Sequence, residues 1–123
     1  MIITPLNTFK TSTAELVDFG TGFVGDSDVV YTCPNGITAI VLMAQVANIS
    51  ETDVQKVTLQ HHDTISGVKT ELVKNFEVQP NDAAGLITGK LIVQQGNKIR
   101  CFNNSAANPN TKFTFSYLES LNG

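Results

Sequence analysis

An all-β fold, an antiparallel two-sheet β-sandwich or jelly roll, is what this chain predicts, and three observations carry the prediction. From about residue 37 to 119 the sequence is a succession of short runs in which apolar and polar residues alternate with period two, the repeat of a half-buried strand. Each run is closed by a turn signal, and the runs recur at the spacing of about 8–12 residues expected of sandwiches and barrels. No helical stripe of apolar residues separates the runs, which argues against a parallel α/β sheet.

Residues 1–13 stand apart from this pattern. Ile2, Ile3, Leu6 and Phe9 are spread among Thr, Asn and Ser, Pro5 blocks a helix, and no clean alternation appears. The expectation is an extended arm over 1–13, whose apolar residues need a surface to lie on, followed by a sandwich domain over 14–123. A short strand at 15–19 is broken by Gly20-Thr21-Gly22. The next, at 28–33, ends in Pro34-Asn35-Gly36, where Pro presets φ and Gly accepts a positive φ.

The longest strand, 37–47, is apolar on both faces when read with strict period two. Ile40, Leu42 and Val46 share one face, and Ile37, Ala39, Val41 and Met43 share the other. Such a strand is central in the core, or its outer face is covered by another subunit. Past the polar connection 48–53, strands 54–62 and 69–78 flank a hairpin turn at 64–67, with Leu72, Phe76 and Val78 expected inward. Pro80-Asn81-Asp82 turns the chain into 86–93. Gln95-Gly96-Asn97 is the strongest hairpin signal present, leading into Ile99-Arg100-Cys101-Phe102. A loop rich in Asn, Ser, Ala and Pro over 103–110 precedes the closing strand 111–119, giving about eight strands in all.

At 123 residues the chain is one domain, large enough for a modest core without metal or disulfide staples. It is 41% hydrophobic but only 15% charged, so Thr, Asn, Ser and Gln cover surface where Lys and Glu usually do. Such a surface repels other protein little. A net charge of −3 and scattered basic residues give no footprint for nucleic acid or an anionic membrane. The longest apolar run is too short to span a bilayer, and the first five residues lack the basic start of a secretory signal. A chain made in a cytoplasm is expected, where the sequon matches at Asn48 and Asn103 carry no meaning. Cys33 and Cys101 are either a bridge, disfavoured in a reducing compartment, or two small buried hydrophobes.

Chemistry-bearing residues do not gather. His61 and His62 are neighbours on a strand and point to opposite faces, so they cannot share a metal; His61 with Asp63 lacks a third ligand. Ser66, His62 and Asp63 crowd one hairpin, a poor frame for a nucleophilic triad, and no nucleophile elbow is present. Gly85-Leu86-Ile87-Thr88-Gly89-Lys90 falls one residue short of a phosphate loop, with Leu91 where a hydroxyl is needed. Asp18, Asp26 and Asp28 lie near glycines but lack the order of a calcium loop. Phe113, Phe115 and Tyr117 form a same-face stripe, either a stacking platform for sugars or bases or the inward face of the last strand.

One succession of turns and strands is more specific. Val30-Tyr31-Thr32-Cys33-Pro34-Asn35-Gly36-Ile37-Thr38-Ala39-Ile40-Val41 is followed by Val46-Ala47-Asn48, Val78-Gln79-Pro80-Asn81, and Gly89-Lys90-Leu91-Ile92-Val93-Gln94-Gln95-Gly96-Asn97-Lys98-Ile99, and it closes on Phe115-Ser116-Tyr117-Leu118-Glu119. This order resembles small virion structural proteins of tailed bacteriophages and cyanophages, over about residues 29–119, departing at Cys33 and at Asn97, where those chains often have Asp. The resemblance implies a non-enzymatic, cofactor-free β-sandwich located in the virion. Its first implied role is a capsid cement or decoration protein, a homo-oligomer that binds between major capsid protein subunits. A neck, tail or baseplate accessory protein is the second. Ile2, Ile3, Leu6 and Phe9 would then be the arm that contacts the partner. From a different class, a carbohydrate- or cell-surface-binding module would need exposed aromatics or calcium loops, and a cryptic hydrolase is more distant still.

Overall fold

The alternating runs fold as two five-stranded sheets packed face to face, a β-sandwich, in a computed structural model that describes residues 7–18, 28–87, 89–103 and 111–121. The described strands are β1 (Asn7–Glu15), β2 (Val17–Asp18), β3 (Val29–Thr32), β4 (Ile37–Asn48), β5 (Gln55–His62), β6 (Lys69–Val78), β7 (Ala83–Gly85), β8 (Leu91–Val93), β9 (Lys98–Asn103) and β10 (Thr111–Leu121). One sheet runs β1-β10-β4-β7, with β8 also pairing β4; the other runs β2-β9-β5-β6, with β3 also pairing β9. All pairs are antiparallel except β2 with β9. No described residue is helical.

Period-two alternation directs the packing. On β10, Phe113, Phe115 and Tyr117 point inward and are buried, while Thr114, Ser116 and Leu118 are only partly covered. Facing them across the core are Val57 and Leu59 of β5 and Ile99 and Cys101 of β9. The aromatic stripe is therefore core: Phe115 stacks between Phe113 and Tyr117 at 5.3 and 5.0 Å between ring centroids, with Tyr31 edge-on at 5.8 Å. Cys33 and Cys101 are both buried and free, and burial pushes both thiols above their ordinary pKa.

Four expectations need correction. The stretch 7–13 is not a separate arm but most of edge strand β1, in unbroken register with β10 from Asn7↔Ser120 to Glu15↔Lys112. Its alternation is hidden because the inward positions, Thr8, Lys10, Ser12 and Ala14, are polar or small, while the apolar Phe9 faces out. Ile2, Ile3 and Leu6 lie outside the described residues.

Second, 86–93 is not one strand. β7 and β8 are three residues each, and both pair with β4, Leu86 donating its N–H to Ala44 O between them. Two strands from this region, with β1, bring the total among the described residues to ten, against the eight expected.

Third, Gln95-Gly96-Asn97 does not close a hairpin. β8 pairs with β4 in one sheet and β9 with β5 in the other, so the turn is a corner that carries the chain across the core. Gly96 (φ +81°) gives its N–H to Cys33 O, and Gln95 Oε1 accepts the N–H of Gly36 (φ +77°), tying this corner to the Pro34-Asn35-Gly36 corner. The hairpin at 64–67 does form, between β5 and β6.

Fourth, bulges shift the phase. Ser116 faces Met43 and Tyr117 faces Val41, which makes Leu42 an extra residue on β4, moves Met43 outward and puts Val46 inside with Ala39 and Val41. On β6 two shifts, one beside left-handed Asn75 (φ 51°), add two residues relative to β5, leaving Leu72 and Phe76 partly exposed; Val78 is buried as expected.

Candidate interaction face

The β1-β10-β4-β8 register builds a feature that no single strand contains. Phe9 of β1 lies opposite Leu118 of β10, Leu118 opposite Ile40 of β4, and Ile40 opposite Ile92 of β8. Opposed residues of antiparallel pairs share a face, with Cβ atoms about 4.5–5.5 Å apart. The four apolar side chains thus form one row across the outer surface of the sheet. Phe9 is 74% and Ile92 59% exposed, and the bulge adds Leu42 and Met43 beside the row, each about two-fifths exposed. Neutral groups surround it: Thr11 and Ser116 hydroxyls are 3.2 Å apart, Thr13 and Thr114 hydroxyls 3.1 Å, and Ser120, Thr38 and Gln45 continue the same face. Among the strand residues of this face the only charges are Glu15 and Lys112, which oppose each other at its far end.

Beneath β1 lies a polar clasp between the sheets. Tyr31 OH, on β3, donates to Glu119 Oε2 on β10 at 2.6 Å, and Lys10 Nζ on β1 meets Glu119 Oε1 at 2.6 Å. Burial alone would raise the Glu119 carboxyl, but the bonds from Lys10 and Tyr31 outweigh it and hold the pKa below the ordinary value. Tyr31 is pushed up by burial and by the same carboxylate, and Lys10 is raised by its bond to Glu119.

The other candidates are occupied by structural tasks. His62 Nδ1 accepts from Arg100 Nε at 3.1 Å, while Arg100 Nη1 donates to the buried Asp28 Oδ1 at 2.6 Å, engaging that aspartate in an ion pair. Asp26 lies outside the described residues, and Asp18 is described only as backbone of β2. Asp63 Oδ1 accepts the N–H groups of Ile65 and Ser66 in the β5–β6 turn, which lowers its pKa, and Ser66 Oγ accepts the Val68 N–H. Asp63 and Ser66 thus serve the turn, while His62 is engaged with Arg100. Asn48, buried, donates to Asp53 O and Val78 O and accepts the Ser50 N–H, organising the connection from β4 to β5. Gly85 to Lys90 runs from β7 toward β8 rather than into a helix.

Clefts among the described residues include one of about 370 Å³ by Thr38, Ile65, Gln94, Gln95 and Asn97, and one of about 230 Å³ by Leu72, Leu86, Ile87, Lys90 and Leu91. Neither lining pairs a nucleophile with a base. Among the described residues no group of three or more His, Cys, Asp or Glu is placed to hold a metal.

Of the expected contact residues, Phe9 lies on the apolar row. Leu118 and Ile92 were missed. Their signal was an apolar residue at the outward position of a strand whose inward positions were already filled by Tyr117 and Phe115, or by Leu91 and Val93. No protein-family model matches the chain, and no curated protein matches it.

Proposed function

We propose that this chain is a non-enzymatic structural protein of a tailed-phage particle, a capsid cement or decoration protein that binds between major capsid subunits. The carrying observation is the outer face of the β1-β10-β4-β8 sheet, an apolar row ringed by hydroxyl and amide groups and free of charge except at one end. Apolar anchors with a neutral polar rim are what a surface needs to desolvate against another protein without leaving buried charge. The motif order from Tyr31 to Glu119, with its resemblance to virion proteins, supplies the partner class. The aromatic stripe that a glycan-binding module could use as a stacking platform, Phe113, Phe115 and Tyr117, is buried in the core.

Particles purified from cells expressing the chain with its own genome should contain it, at a copy number comparable with that of the major capsid protein. A small fraction of that number favours the neck, tail or baseplate role. Absence from washed particles sinks the proposal.

A further inference from the structure

The edges of the two sheets are treated differently. An edge strand exposes a row of unpaired N–H and C=O groups, and proteins blunt such edges with short strands, bulges and charges. In the β2-β9-β5-β6 sheet, β6 carries two bulges, left-handed Asn75 and the charges Lys69, Glu71, Lys74 and Glu77. At the other side, β2 is two residues and β3 four with a register shift. In the β1-β10-β4-β8 sheet, the far edge is split into β7 and β8, three residues each.

β1 has neither the brevity nor the bulges of the other edges, and its charges are Lys10 and, at its end, Glu15. It is nine residues long, has no register shift against β10, contains no proline, and has no second partner strand among the described residues. Its one central charge, Lys10, is committed to Glu119 at 2.6 Å.

We propose that the free edge of β1 docks β1 of a second copy of this chain. The strands pair antiparallel about a two-fold axis at Thr11, joining two five-stranded sheets into one. The choice of occupant rests on self-complementarity. A two-fold at Thr11 uses the whole strand: Asn7 faces the partner's Glu15, Thr8 its Ala14, Phe9 its Thr13, Lys10 its Ser12, and Thr11 its own counterpart. No like charges meet, outward residues oppose outward ones, and both apolar rows lie on the same side of the joined sheet. An antiparallel two-fold pairing of this kind is isologous and closes at two copies. It stands whether or not the protein coats a phage shell, and the two proposals are tested on different residues.

The test is solution mass by light scattering across a concentration series, with variants at the axis. The native chain should reach twice its monomer mass. Thr11→Lys and Thr11→Glu each place like charges across the axis and should remain monomeric with unchanged circular dichroism; mixed one to one, they should recover the dimer. Thr11→Cys should cross-link on oxidation, because opposed Cα atoms lie about 4.5–5.5 Å apart, within disulfide reach. Thr13→Cys should not, since four residues of offset separate its counterparts by about 13 Å. If Thr11→Lys fails to fold, the cysteine pair decides the matter. A native chain that stays monomeric at its highest soluble concentration overturns the proposal. So does a dimer indifferent to Thr11→Lys, or cross-linking at residue 13 and not at 11.

Discussion

The two sheets share a core but turn different surfaces to solvent. Outside the β2-β9-β5-β6 sheet, Lys56 opposes Glu77, Gln60 lies beside Glu71, and His62 lies between Lys98 and Lys69. Outside the β1-β10-β4-β8 sheet, the corresponding rows are Phe9–Leu118–Ile40–Ile92 and hydroxyl pairs such as Thr11–Ser116. Both sheets contribute inward-facing apolar side chains to one core, so the folding requirement is shared. What differs is what each outer surface prefers to meet. Charges keep one hydrated, whereas the other would gain by leaving water. The bulge-free edge of the apolar sheet and the bulged, charged β6 edge of the other repeat the asymmetry.

That contrast holds only if the apolar row is not itself part of what keeps the domain folded, and the sharpest control is the opposite face of the same strand. Phe115 is fully buried, stacked between Phe113 and Tyr117. Phe115→Ala should cost about 3–5 kcal/mol, the range for truncating a buried aromatic. Domains commonly have only about 5–15 kcal/mol in total. Chemical denaturation should show the loss as a lower midpoint with unchanged slope, or the variant should fail to accumulate as soluble protein. An unaltered midpoint would mean that the inner face carries little of the stability, and the distinction between faces would collapse.

A second large effect lies beside the charged surface. Arg100 and Asp28 are both about 5% exposed and 2.6 Å apart. Asp28→Ala leaves a buried guanidinium with its bond to His62 but without its counter-ion. The cost should be about 3 kcal/mol, the low end for a broken buried pair, because the bond to His62 survives. Replacing both residues by apolar ones of similar volume should cost less than the single change. If the single and double variants melt alike, the pair is not electrostatically coupled and the charged sheet is held by packing alone.

Much of this asymmetry could be read from the chain, and the remainder had definite physical obstacles. Alternation located most strands and identified Phe113, Phe115 and Tyr117 as an inward stripe, because each pattern is local and the core enforces it. The two apolar faces of β4 were also visible. Their membership was not, since the extra residue at Leu42 inverts the phase and period two cannot detect a bulge. The turn at Gly96 had hairpin chemistry, yet its flanking strands belong to different sheets. That outcome is decided by long-range pairing with Val41 and His61, which no local signal reports. The apolar row was illegible for the same reason: its four members are separated by up to 109 positions, from Phe9 to Leu118, and only the register unites them. β1 escaped notice because an edge strand at an open rim needs no inward apolar residues.

The clasp beneath β1 gives the comparison a pH dependence. Glu119 has its pKa held below the ordinary 4.5, so its contribution is complete above that pH and fades as the pH falls through the lower folded value. Lys10 is raised above 10.5, so its share is complete below that pH and fades only in stronger alkali. Between these limits β1 is held to both sheets through Glu119. Lys10 is half exposed, so solvent screens its pairing with Glu119. Native-state amide exchange should therefore show β1 protection falling in acid before that of β4, with Glu119→Gln reproducing the loss at neutral pH. Equal protection of β1 and β4 across that range would show that the backbone ladder alone holds the edge.

The smallest effect on folding should accompany the largest effect on association. Phe9 and Ile92 are mostly exposed at the two ends of the apolar row, so serine at both positions removes little buried contact and should change stability by no more than about 0.5 kcal/mol each. A matched pair on the other sheet, Lys69→Ser with Lys98→Ser, should be equally mild. The variants should diverge in binding. Burying a large apolar side chain is worth about 1.5–3 kcal/mol before ordering costs, and truncating two anchors of a contact face should weaken attachment to particles at least tenfold. The lysine pair should bind as the native chain does. Centrifugal co-sedimentation with shells stripped of the protein reads this directly. If the lysine pair loses binding and the Phe9–Ile92 pair keeps it, the contact face is the charged one and the assignment of roles to the two sheets is reversed.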